Sequence, residues 1–148
     1  MSNYPIWWNT TITVYNKFID PITQVVTWYK RSINRCFWQY VKDNMTVGDT
    51  VLETNRTICR IREDDFFKEK HLWIGLPADQ KENFYTLSQG DIIVKGKVDD
   101  EIDEYSSGHR SSDLIGKYKE LQGCFEIDAV AINVGTGRGL PHYKAQGV

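Results

Sequence analysis

The densest set of chemistry-bearing side chains is the run Asp99-Asp100-Glu101-Ile102-Asp103-Glu104. Five carboxylates in six positions could hold a cation or share acid–base work. A calcium loop needs oxygen ligands at set alternating positions, with a glycine and a distal glutamate, and that spacing is absent. Acid–base pairs need a pocket that drives two carboxyl environments apart, and a contiguous surface run offers none. The run therefore reads as a solvated, partner-facing loop. Gly135-Thr136-Gly137-Arg138-Gly139 follows a strand pattern, yet no helix opens after it to meet a phosphate, so it reads as a flexible hairpin loop. His71, His109 and His142 lie far apart without metal-ligand spacing, and Cys36, Cys59 and Cys124 carry no local signature of a nucleophile pair. The chain is accordingly expected to hold no catalytic residue, no metal and no cofactor, and not to be an enzyme.

Composition narrows the class further. At 148 residues, with 41% hydrophobic and 26% charged, the chain suits one globular domain. A formal charge of -2 argues against a dedicated nucleic-acid binder, since Lys95, Lys97, Arg110, Lys117 and Lys119 are interleaved with acids. It leaves room for a protein that surrounds DNA without gripping it. No apolar run approaches the ~20 residues of a membrane helix. The first residues lack the basic and apolar regions of an export signal, so a cytosolic setting with reduced, buried thiols is expected. Asn-X-Thr sequons at Asn9, Asn44 and Asn55 then carry no weight.

The elements that would position any site are mostly strands. Residues 1–9 form an arm, and the adjacent Trp7 and Trp8 point to opposite faces if extended, so one can pack on its own domain and the other on a neighbour. Residues 10–148 form a single domain. Alternation predicts a strand over 10–19, a turn at Asp20-Pro21, a strand over 25–33, a break at Asn34-Arg35 and a third strand over 36–41. A loop is expected from Asp43-Asn44 to Gly48-Asp49, then a short strand, a turn at Asn55-Arg56 and a strand over 57–61. Residues 85–98 predict a hairpin turning at Gly90-Asp91, with Gly96 marking a bend. Pro77 suits the first turn of a short helix. Ser111 or Ser112 can cap a helix over about 111–122, with Leu114, Ile115, Tyr118 and Leu121 as its apolar stripe and Gly123 ending it. Residues 125–134 predict a central strand and 141–145 an edge strand. The sum is a mainly β fold, a small curled antiparallel β-barrel or sandwich with one short amphipathic helix and long loops.

The order of several segments carries a resemblance: Ile12-Thr13-Val14-Tyr15-Asn16-Lys17, Trp28-Tyr29-Lys30-Arg31-Ser32-Ile33, Cys36-Phe37-Trp38, Gly90-Asp91-Ile92-Ile93-Val94-Lys95-Gly96, Val130-Ala131-Ile132-Asn133 and His142-Tyr143-Lys144. The chain resembles the small neck or minor capsid structural proteins of tailed phages and prophages of Gram-positive bacteria. The resemblance implies a head-closure or head–tail connector subunit, assembled in the host cytoplasm into a ring in the virion neck. It implies portal or adaptor and tail proteins as partners, a homo-oligomer that could be twelve-fold, and DNA passing through the lumen without sequence-specific binding. Trp7, Trp8, Phe66, Phe67 and Trp73 are then the candidate partner interface. Asp99, Asp100, Glu101, Asp103 and Glu104 become a candidate channel-lining loop that repels phosphate. Residues 1–9 and 99–110 are expected to be mobile before assembly. Lys144-Ala145-Gln146 departs from the acidic and apolar closing strand expected of such proteins.

Two alternatives stand beside this reading. A tail terminator or tail-completion protein has similar size but more helix. A small β-barrel module for single-stranded nucleic acid or glycan would use Trp28, Phe37 and Trp38 as a stacking platform.

Overall fold

The computed structural model describes residues 4–134 and 140–148. The loop read at residues 135–139 lies outside the described residues. The elements run β1 (Thr10–Ile19), β2 (Val26–Val47), β3 (Thr50–Arg62), α1 (Lys70–Trp73), α2 (Ala78–Lys81), β4 (Ile92–Lys95), α3 (Ser111–Leu121), β5 (Cys124–Glu126), β6 (Ala129–Asn133) and β7 (His142–Gly147). All strand pairings are antiparallel, in one sheet of order β5-β4-β1-β2-β3-β7-β6. This is the mainly β, curled fold that the alternation predicts; besides the amphipathic helix α3 it holds two single-turn helices, α1 and the short helix α2 expected after Pro77.

The sheet curls because its two edge strands are consecutive in the chain. Only Ile127 and Asp128 separate β5 from β6, and so short a link reaches roughly 10 Å. The Asp128 N–H donates to the Gln146 carbonyl at 2.9 Å, which holds the closing corner to β7. A Cβ added at Gly147 would stand 2.1 Å from the Glu126 carbonyl oxygen and 2.6 Å from Phe125 Cδ2. Gly147→Ala is therefore expected to push the edges apart and cost about 1–3 kcal/mol in urea unfolding. An unchanged midpoint would mean the corner is loose.

β1, an inner strand between β4 and β2, has both faces buried. Ile12 and Val14 join Ile33, Cys36, Cys59, Ile61, Phe125 and Tyr143 inside the curl. Tyr15 turns outward and joins Trp28, Val94, Ile102, Leu114 and Tyr118 beneath α3 and residues 99–110. The alternation of β1 thus feeds two cores, one per face. On α3, Leu114 and Tyr118 are buried, Ile115 is half-buried and Leu121 is exposed, so the stripe is narrower than expected. The cap is Arg110, not a serine; its N–H donates to Asp113 Oδ2 at 3.1 Å. Pro77 likewise stands at the N-cap of α2, one place before the helix.

Several expectations are corrected. The break at Asn34-Arg35 is a bulge inside one 22-residue strand. Arg35 takes a φ of 59°, and the register to β1 shifts between Thr10↔Cys36 and Ile12↔Ile33. This lets Ile33 and Cys36, an odd number of residues apart, face the same core. The loop expected after Asp43-Asn44 and the turn at Asn55-Arg56 are both strand, because the pairing runs unbroken from Phe37↔Arg60 to Val47↔Thr50 and turns only at Gly48-Asp49. Residues 85–98 do not form a hairpin: β4 pairs with β1 and β5, and Tyr85 makes only an isolated bridge to Phe67. The left-handed turn and bend are real, with φ of 96° at Gly90 and 100° at Gly96. The strand expected over 125–134 is split at the corner, where the Gly90 N–H donates to the Ile127 carbonyl and the Ile127 N–H to that of Asp91. Its halves are the two sheet edges, not a centre. β7, expected as an edge, lies between β3 and β6.

Candidate assembly surface

One element projects from the sheet as an arm. β2 pairs with β1 only as far as Cys36, and β3 pairs with β7 only from Thr57 onward. Between these points, residues 41–47 and 50–56 pair, among the described residues, solely with one another. At about 3.4 Å per residue this two-stranded ribbon reaches about 25 Å beyond the sheet. Tyr40, Val41, Thr46, Val47, Thr50 and Val51 favour extended backbone, and Gly48 at φ 62° turns the tip. Tyr40, Val47 and Val51 are more than half exposed. Among the described residues no strand flanks either edge of the arm.

The candidate interface aromatics separate into different roles. Trp7 is 64% exposed beside the nearly bare Ile6, whereas Trp8 is buried against Tyr4, Phe37 and His142. The two rings separate, but at a turn closed by the Trp8 N–H on the Pro5 carbonyl rather than on an extended segment. Described residues of the arm are tied down rather than loose, since the Tyr4 hydroxyl donates to the Pro141 carbonyl at 2.5 Å and accepts from the Glu63 N–H. Phe66 is half-exposed with Arg31 over its ring, while Phe67 stacks on Tyr143 at 4.1 Å. Trp73 is fully buried and is corrected to a core residue.

The acidic run is also partly internal. Asp100 accepts from Lys117 Nζ at 2.8 Å and from the Tyr118 hydroxyl at 2.6 Å. Glu104 accepts from Trp28 Nε1 and the Ser111 N–H. Ile102 is buried, Glu101 pairs with Lys30 at 2.7 Å, and Asp103 accepts from the Tyr105 N–H. Residues 99–110 form a packed cover over the outer core, not a loose loop; only Asp99, Glu101 and Asp103 are exposed acids. Bonds from Lys117 and Tyr118 hold the Asp100 carboxyl below its ordinary 3.8. A lowered carboxyl pKa stabilises the fold above the unfolded value, and that contribution fades as pH falls through the folded pKa. Asp100→Asn is thus expected to flatten the acid limb of melting temperature against pH; an unchanged limb would contradict it.

One further concavity, about 850 Å³, lies between the end of β1 and α1, lined by Lys17, Phe18, Ile19, Lys70, His71 and Asp91 among others. Asp91 is fully engaged: its oxygens accept from Asn16 Nδ2, the Lys17 N–H, and the Ser88 N–H and hydroxyl, at 3.0–3.1 Å. Burial raises its pKa while these bonds oppose the rise. Asp91 is a clamp that fastens residues 86–91 to β1, a role the sequence hinted at only through its turn position. All three cysteines are free and buried. Burial lifts the Cys59 thiol, and pushes Cys124 up to about 12, so both keep their protons and are weak nucleophiles. Trp28, Phe37 and Trp38 do not share one open face. Trp28 is buried in the outer core, and Trp38, past the bulge, packs on Phe125. Among the described residues no group of three or more His, Cys, Asp or Glu is placed to hold a metal.

Residues 7–148 match the family described as a family of unknown function, DUF6751, and the chain belongs to it. No curated protein and no solved structure matches.

Proposed function

We propose that this chain is a non-enzymatic structural subunit of a tailed-phage neck, a head-closure or connector protein that forms a ring between portal or adaptor and tail. The observation that carries the reading is the arm: a two-stranded ribbon is marginal in water on its own, and among the described residues nothing pairs with either edge of this one. Such a surface asks for neighbours. The exposed Ile6 and Trp7 add a second apolar contact at the start of β1. Heterologous contacts of this kind close into a ring when the rotation between copies allows. Asp99, Glu101 and Asp103 would repel phosphate wherever they face a DNA channel, in keeping with the small negative charge of the chain.

The test is to disrupt the gene in an inducible prophage and image the lysate. Filled heads and finished tails that fail to join are expected. Overlong tails would favour the terminator reading, and normal virions would end the proposal.

A further inference from the structure

We infer that the arm is the ring-forming surface, and that its occupant is the arm of the next copy, with the open β2 edge of one chain pairing antiparallel to the open β3 edge of its neighbour. The inference rests on the ring proposed above and names the contact that would build it.

Three observations point the same way. First, the outer part of the arm is free of two devices that keep an edge strand solitary: residues 44–47 and 50–52 carry no charge and no proline, the arm's charges lying nearer the sheet at Lys42, Asp43, Glu53 and Arg56 and in the turn at Asp49. Among the described residues the arm's positive φ is confined to the turn at Gly48. Second, β2 and β3 already pair with each other over this length, from Tyr40↔Thr57 to Val47↔Thr50. A neighbour set at the same height offers to each open edge the strand it already fits. Third, the described side chains beside the tip, Thr46, Val47, Thr50 and Val51, are exposed, uncharged and of types that favour extended backbone.

A strand from another protein would cover one edge and leave the other open. Copies in a closed cycle cover both edges of every arm, which is the geometry of heterologous contact with closure. The result would be a crown of arms standing on the ring.

The experiment uses two single-cysteine variants, Thr46→Cys and Val51→Cys. Both positions are exposed and face each other in the register. Each variant lacks the other cysteine, so no intramolecular bond can form between them, and the three native thiols are buried. The variants are mixed in equal amounts under air oxidation, alone and together with the portal and tail proteins encoded nearby. Mixed 46–51 disulfide is expected to form at least about 10-fold faster than 46–46 or 51–51. Equal rates for all three, or no disulfide in either setting, would overturn the arm contact while leaving a ring built by another surface open. Dominant 46–46 bonding would mean a two-fold β2–β2 dimer and would overturn the cyclic arrangement. A fast mixed bond without any species of ring mass would uphold the arm contact and count against the ring.

Discussion

Trp73→Ala is expected to cost about 3–5 kcal/mol and to lower the melting midpoint by about 10 °C. Trp73 is fully buried although its helix is a single turn. Its ring meets Tyr29 edge-on at 5.6 Å and Phe18 at 6.3 Å, and the ammonium groups of Lys70 and Lys81 stand over it at 5.1 and 5.7 Å. Lys81 is itself only 4% exposed and donates to the Leu76 carbonyl. Burial lowers its pKa, so its charge persists on the strength of that carbonyl and the aromatic faces of Phe18 and Trp73. Truncation to alanine leaves a large cavity and strips one face from a buried cation. It also unfastens α1, which carries the Lys70 and His71 side of the groove. Trp73→Phe separates these effects. It keeps an aromatic face and deletes an indole N–H that has no acceptor among the described residues, so it should lose less than half as much. A loss below about 1 kcal/mol for alanine would show that residues 69–82 are not integral to the fold.

Asp91→Ala is the second large effect, about 3 kcal/mol. The substitution strands the partly buried N–H groups of Lys17 and Ser88 and one buried Asn16 amide N–H. Each unsatisfied buried donor costs about 1–3 kcal/mol, and part of that sum is returned because a desolvated carboxylate is removed. The pH dependence carries a distinct sign. Asp91 has its pKa raised in the fold, chiefly by burial. Its ionisation therefore opposes folding, a cost absent below its unfolded value of 3.8 and complete above the folded pKa. Between those values the wild type should lose stability relative to Asp91→Ala as pH rises. Urea unfolding from pH 3 to 7 measures this; a wild-type advantage that grows steadily with pH would contradict it.

These two sites mark how far the sequence could be read. β1 is legible to the residue because its run of β-favouring residues closes at the Asp20-Pro21 turn. The helix at 111–121 is legible from its apolar period near 3.6. Burial of Trp73 is not legible, because a Trp amid charges gives no sign that Lys70 and Lys81 will fold their stems over it. The bulge at Arg35 reads as a chain break because a non-glycine residue in the left-handed region has no sequence mark. The arm is hidden for a different reason. Asp43-Asn44 and Asn55-Arg56 are turn-forming types, yet they face Thr54 with Glu53 and Lys42 with Val41 across one continuous ladder, and pairing overrode their local preference. Propensity also says which residues are extended, not where neighbouring strands stop. The projection arises because β1 and β7 end before β2 and β3 do. The corner at Ile127-Asp128 was hidden likewise: the apolar alternation continues through it while the hydrogen-bond partners change from β4 to β7.

Mass in solution tests the proposed ring most directly. The chain is measured alone and mixed with the portal, adaptor and tail proteins encoded beside it, by sedimentation and native mass spectrometry. The account predicts that the mixture yields a closed assembly holding a fixed whole number of copies, and that replacing residues 42–55 by Asn-Gly abolishes it while the shortened chain still melts cooperatively. A chain that stays monomeric and indifferent to every neck protein would contradict the account.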